Sequence, residues 1–323
     1  METLYGSSNW KLTVRREFDH VVILRAVTCD TCAELPDTLF GLPVTVLGEK
    51  ALSPTAKPVQ GEEVLIQCGR AGEWDNRNLQ ELTLPEPLTD VRNYALSGCC
   101  RLHTLHLYDR IRRWGGGCIM NCRALRRIHL TRVGQKQGES LAVLCGELSD
   151  ELDVTIRETD GAEVHLLFPE YMELYEENIP HHQFDYWIQG GGYPYHHTFP
   201  EKQLSLRAYD DLWEKYRCTQ TVPDTAVRLV WYRLRWPVEL SDQAECQYLA
   251  YLRQYPETAI LWQLTQKDPV GLNLLLTWVQ PEGEVLQKAC EQARQSGNTE
   301  ALALLLERQR AAAPRGLDRD FDL

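Results

Sequence analysis

Cysteine and histidine are the residues whose spacing in this chain could do chemistry. Cys29-Asp30-Thr31-Cys32 is a C-x-x-C, the spacing of a redox pair or of half a zinc site. A zinc site needs two more ligands at similar spacing, and the sequence has no second C-x-x-C. A thioredoxin-like context is also missing, so incidental thiols are the expectation. His181-His182 and His196-His197 form two adjacent pairs, with Glu176-Glu177 nearby. Neighbouring residues on a strand point to opposite faces, so at most one histidine of each pair could serve one metal. No H-E-x-x-H occurs. Gly190-Gly191-Gly192 and Gly115-Gly116-Gly117 are not followed by Lys-Ser/Thr, and neither fits a G-x-G-x-x-G that opens a helix. No G-x-S-x-G elbow or kinase signature is present. The expectation is a non-enzyme with no catalytic residue, no metal and no cofactor.

The segment that carries the second histidine pair is rich in aromatics: Tyr171, Tyr175, Phe184, Tyr186, Trp187, Tyr193, Tyr195 and Phe199 follow Pro169. Glycine permits close backbone approach and aromatic rings supply apolar walls. A small-ligand pocket, if the chain has one, is expected at Tyr186, Trp187, Tyr193, Tyr195 and His196.

The elements that position such residues follow from a repeat. Asn78-Leu79-Gln80-Glu81-Leu82-Thr83-Leu84 recurs as Arg101-Leu102-His103-Thr104-Leu105-His106-Leu107 and as Ala124-Leu125-Arg126-Arg127-Ile128-His129-Leu130, 23 residues apart each time. Ala95 matches Cys118 and Cys99 matches Cys122 in the same register. The paired leucines two apart face one side of a short strand, and stacked copies bury them together. Cys99 and Cys122 are then expected as small buried thiols filling equivalent slots.

The wording of the repeat resembles BspA-like leucine-rich repeats over roughly residues 20–145. Asn93-Tyr94-Ala95-Leu96-Ser97-Gly98-Cys99-Cys100-Arg101-Leu102 is similar to their AF-x-x-C-x-x-L core, and the stretch from Glu34 through Gly41-Leu42-Pro43-Val44 to Ala51-Leu52 is similar to their opening unit. The resemblance departs where Leu52 and Leu96 replace the usual Phe and at Trp114-Gly115-Gly116-Gly117-Cys118. Many members of that family are exported surface proteins.

Residues between the leucines should project outward. Thr83, His106 and His129 share one slot; Glu81, Thr104 and Arg127 share the next; Tyr108 falls in a third. Repeat faces bind partners, and aromatics and arginine are enriched in interface centres. These seven residues are the expected partner-binding face.

After residue 146 the period is lost. Val154–Ile156 and Val164–Phe168 read as strands joined by a turn at Asp160-Gly161. Helical patterns follow near Leu206–Tyr216 and Thr225–Arg235. Residues 241–312 read as helical, with Pro256, Pro269 and Pro281 in first helical turns, Asp268 as an N-cap and Gly297 as a stop signal. The run from Leu286 to Leu306 resembles the second half of an ankyrin-type helix pair.

Bulk properties narrow the class. The 323 residues are 43% hydrophobic and 25% charged, ordinary globular values, and the formal net charge of −12 argues against nucleic-acid binding. No apolar run approaches the roughly 20 residues of a membrane span. Eleven cysteines without a polar-to-apolar leader at residues 1–16 point to free thiols in a reducing cytoplasm.

The expected fold is α/β: a short leucine-rich-repeat solenoid with parallel strands (1–145), a small central α+β segment (146–240), a C-terminal α-helical, ankyrin-like repeat region (241–312) and a flexible tail (313–323). The expected function is a non-catalytic protein-interaction scaffold that binds a protein partner, with partner identity and oligomeric state left open by the sequence. Two alternatives stay open: a small-ligand or metal-binding module or enzyme in residues 165–236, and an exported surface adhesin whose signal lies upstream.

Overall fold

The computed structural model describes residues 2–134, 138–178, 183–219 and 223–312. It divides into two compact units, Met1–Thr219 and Gln220–Leu323. The expectations for His181, His182 and the 313–323 tail lie outside the described residues, as do the side chains of Glu176 and Glu177.

The first unit opens with seven strands: β1 (Glu2–Tyr5), β2 (Trp10–Arg16), β3 (Val21–Thr28), β4 (Cys32–Glu34), β5 (Thr38–Leu39), β6 (Leu42–Leu47) and β7 (Glu62–Gln67). The periodic segment supplies β8 (Glu81–Thr83), β9 (Asp90–Val91), β10 (Thr104–Tyr108), β11 (Arg113–Trp114) and β12 (Arg127–Thr131). Then come α1 (Ser140–Glu147), β13 (Leu152–Arg157), β14 (Glu163–Phe168), β15 (Met172–Asn178), β16 (Gln183–Gln189), α2 (Tyr193–His197), α3 (Leu206–Asp211) and α4 (Trp213–Arg217).

These strands form three sheets. One has eight strands in the order β1-β7-β2-β3-β6-β9-β11, with β5 on β6. The second has six, in the order β14-β13-β12-β10-β8-β4. The third is the β15-β16 hairpin.

This arrangement overturns the expected α/β solenoid. The sheets are mixed: β2 pairs antiparallel with both β3 and β7, and β13 pairs antiparallel with β14. The reason lies in how little of the chain is periodic. The 23-residue spacing holds only for β8, β10 and β12 in one sheet and for β9 and β11 in the other. On one side, β4 pairs with β8 across a 49-residue gap, Cys32 opposite Glu81, and β5, β6 and β7 are formed from the chain in between. On the other, Gly161 takes a positive φ of 87° and turns the chain back as a hairpin. Three copies sit in the middle of mixed sheets; no repeat solenoid describes the arrangement.

Within those three copies the side-chain logic is simple. Thr104, Leu105 and His106 pair with Glu81, Leu82 and Thr83 on one side and with Arg127, Ile128 and His129 on the other. Leu82, Leu105, Ile128, Val154 and Leu166 face inward and are fully buried or nearly so. Cys99 and Cys122 are buried too, and each thiol donates to a carbonyl of an earlier turn, Cys99 to Leu52 O at 3.5 Å and Cys122 to Leu96 O at 3.3 Å. Asn76 ties the turns together. Its buried side-chain amide donates to Ala26 O and Leu52 O and accepts from the Thr28 N–H.

The second unit has helices α5 (Asp224–Arg235), α6 (Asp242–Gln254), α7 (Pro256–Gln266), α8 (Pro269–Val279), α9 (Gly283–Gln295) and α10 (Thr299–Ala312). Consecutive helices α5/α6, α7/α8 and α9/α10 pack in pairs, and each helix from α5 to α8 also touches the next but one. Asp268 caps α8 by accepting from Gly271 N–H, and Pro256 and Pro269 start α7 and α8. Pro281 is a correction: it stands ahead of α9, whose first residue is Gly283, rather than in its first turn. Gly297 takes a φ of 68°, and the Asn298 side chain accepts from Ala301 N–H to begin α10.

Candidate functional site

The outer face of the six-stranded sheet carries the expected binding residues. Strand register places Glu34, Thr83, His106, His129, Thr155 and His165 in one transverse row, one residue from each of six strands. At the usual interstrand spacing the row runs for roughly 24 Å. Glu81, Thr104, Arg127 and Asp153 form the row on one side, and Tyr108, Thr131, Arg157 and Glu163 the row on the other.

The centre of the face is built from histidines. The His106 and His129 rings stack at 4.5 Å with 12° between planes. His106 Nε2 lies 2.8 Å from Glu81 Oε1. His165 Nδ1 lies 3.5 Å from Thr155 Oγ1, and its Nε2 lies 3.4 Å from Glu163 Oε2. Burial, reinforced by the neighbouring His106, holds His129 below the usual imidazole range. Burial does the same to His165, against the opposing pull of Glu163. The Glu163 carboxyl is itself held low, chiefly by a hydrogen bond from Arg157.

Of the seven residues expected on this face, Glu81, Thr83, His106, Tyr108 and His129 are half-exposed and Arg127 is exposed. Thr104 is not: it is 4% exposed, and its hydroxyl lies 2.8 Å from His103 Nδ1. It sits in register between the longer Glu81 and Arg127, and a short side chain there contributes no contact surface. Sequence spacing missed Thr155 and His165, because the period ends at β12. The Asp160-Gly161 hairpin was the available signal, since its register sets His165 opposite Thr155.

The aromatic segment divides differently from expectation. Tyr186 and Trp187 lie exposed on β16. His196 is fully buried, with Nδ1 3.1 Å from Cys145 O and Nε2 3.0 Å from Pro169 O; it fastens α2 to the ends of α1 and β14. Burial lowers its affinity for a proton, against the pull of those carbonyls. His197 bonds instead to the Tyr171 hydroxyl at 2.9 Å. Tyr193 and Tyr195 alone of the five expected pocket residues line a common cavity.

A larger open groove of about 1060 Å³ crosses the eight-stranded sheet, where Arg15, Asp90, Arg92, Arg113 and Trp114 contribute to its walls. Its charges are paired internally. Arg15 bonds to Glu17, His20 to Asp19, and the buried Asp90 carboxylate faces both Arg92 and Arg113. Among the described residues no group of three or more His, Cys, Asp or Glu side chains could hold a metal ion, and Cys29 and Cys32 are both free thiols. No described helix is long and apolar enough to cross a membrane.

Comparison of the chain with protein-family models, with curated proteins and with solved structures finds no match.

Proposed function

We propose that this chain is a non-catalytic protein-interaction module that docks a protein partner on the outer face of its six-stranded sheet. The supporting observation is the continuous row of Glu34, Thr83, His106, His129, Thr155 and His165, flanked by Tyr108 and by Arg127, which makes no ion pair among the described residues. Rings held by stacking lose little freedom on binding, which suits them to the centre of an interface. Acids outnumber permanent cations on the face, with Glu34, Glu81, Asp153 and Glu163 against Arg127 and Arg157. The favoured partner surface is therefore basic. Eleven free thiols, five of them buried, fit a reducing compartment, and the cytoplasm is the proposed location.

A photo-reactive side chain tests this reading directly. Placed at Thr83 or Thr131, on the face, it should give one discrete protein adduct in native extract. Placed at Thr3, on the other large sheet, it should not. The same adduct from all three positions, or none from the face, would contradict the proposal.

A further inference from the structure

Beside the glycine run, a cavity of about 230 Å³ opens between α2 and α4, where its walls include Gly191, Tyr193, Tyr195, Leu212, Lys215 and Tyr216. Its construction is specific at four points. Tyr195 is 2% exposed, and its hydroxyl has no hydrogen-bond partner among the described residues. A buried donor left unpaired is costly, and native interiors hold few of them. The Tyr195 and Tyr216 rings meet edge to face at 5.3 Å, which fixes an aromatic wall. At Gly191 a Cβ would fall 2.5 Å from Thr219 Oγ1 and 2.7 Å from Tyr216 Cδ2, so any side chain there would displace that wall. Lys215 stands exposed at the rim and makes no ion pair among the described residues.

Size and chemistry together select the ligand. An apolar cavity of about 150 Å³ is enough for benzene, whereas drug-sized ligands take roughly 300–1,000 Å³. The space here suits one ring and one small polar group. An ammonium at the rim and a buried hydroxyl donor both call for an acceptor, and a carboxylate satisfies both. We propose that this cavity binds a single-ring aryl carboxylate. The ring lies against Tyr193 and Tyr216, and the carboxylate accepts from the Tyr195 hydroxyl and faces the Lys215 ammonium. This site is separate from the sheet face, and partner capture there neither supports nor weakens it.

The test is calorimetric titration of the full 323-residue chain with benzoate, and with benzamide as its uncharged counterpart. Benzoate should bind saturably at one site, and benzamide, Tyr195→Phe and Lys215→Gln should each weaken binding by about tenfold. Lys215 is exposed, so its variant stays folded and decides the matter even if Tyr195→Phe disturbs the interior. Absence of saturable benzoate binding would overturn the proposal. So would binding indifferent to Lys215→Gln, or benzamide binding as tightly as benzoate.

Discussion

The thiols of Cys99, Cys118, Cys122, Cys145 and Cys290 are buried, and burial pushes every one of them away from the reactive thiolate; Cys122 is raised to about 12. Cys32, Cys68, Cys100, Cys218 and Cys246 are exposed. Brief treatment of native protein with N-ethylmaleimide should therefore label the exposed five and spare the buried five, read by peptide mass spectrometry. Label on Cys99 or Cys122 before denaturation would contradict the packing described. The repeat made those two positions legible in advance, because equivalent slots in equivalent turns demand equivalent small side chains. Thr104 shows where spacing falls short: alternation gives the side of a strand but not how long the neighbours are.

Two further residue-scale outcomes follow from charge. Asp109 and Arg132 are both buried and paired, and Asp109 also accepts from the Gly138 N–H. Arg132→Ala strands that carboxylate and should cost about 3–5 kcal/mol in urea unfolding, the range for breaking one side of a buried pair. Wild-type stability within about 1 kcal/mol would argue that the carboxylate is solvated. Separately, burial lowers the proton affinity of His129, His165, His196 and His197 in the fold. The unfolded chain takes up protons that the folded chain resists, so this stability is full above about pH 6.5 and declines as pH falls below it. The Tm should drop steadily between pH 7 and pH 5, before carboxylates titrate. A flat profile there would be inconsistent with histidines that the fold holds in the neutral form.

At the scale of elements, the periodic segment predicts strand positions and register closely. Leucines two apart can only bury together if their strands align, and β8, β10 and β12 pair as that requires. Leu105 lies at the middle of the three and is fully buried, so Leu105→Ala should destabilise the first unit by about 2–5 kcal/mol. The same change at the half-exposed Leu24 of β3 should cost less than half as much. Equal costs would place Leu105 outside the core. What the repeat does not encode is the company its strands keep. The contribution of β4, 49 residues ahead of β8, and the antiparallel pairing of β2 with β7 arise from long-range contacts, which no local period records, and β14 joins through a hairpin that lies outside the repeat.

For the whole molecule, the mixed sheets change the reading of the binding face more than they diminish it. A repeat of three strands offers a short face, but β4, β13 and β14 extend it to six, and two of the added residues, Thr155 and His165, complete the histidine row. Most of that face was legible from slots shared by Thr83, His106 and His129; its far edge depended on the Asp160-Gly161 hairpin, which lies outside the repeat. The aromatic segment was legible as a place but not as a constellation. His196 serves the interior, Tyr186 and Trp187 lie outside, and the cavity is walled instead by Tyr193, Tyr195 and residues of α4 that carried no signal.

The central claim, a partner-binding face on the six-stranded sheet, is tested most directly by quantitative affinity capture from native lysate. Wild type is compared with His106→Ala, Arg127→Ala and His129→Ala combined. All three side chains are at least partly exposed, and circular dichroism should report an unchanged fold. The account predicts at least one protein captured stoichiometrically by wild type and lost from the triple variant. Capture that ignores the triple change would contradict it.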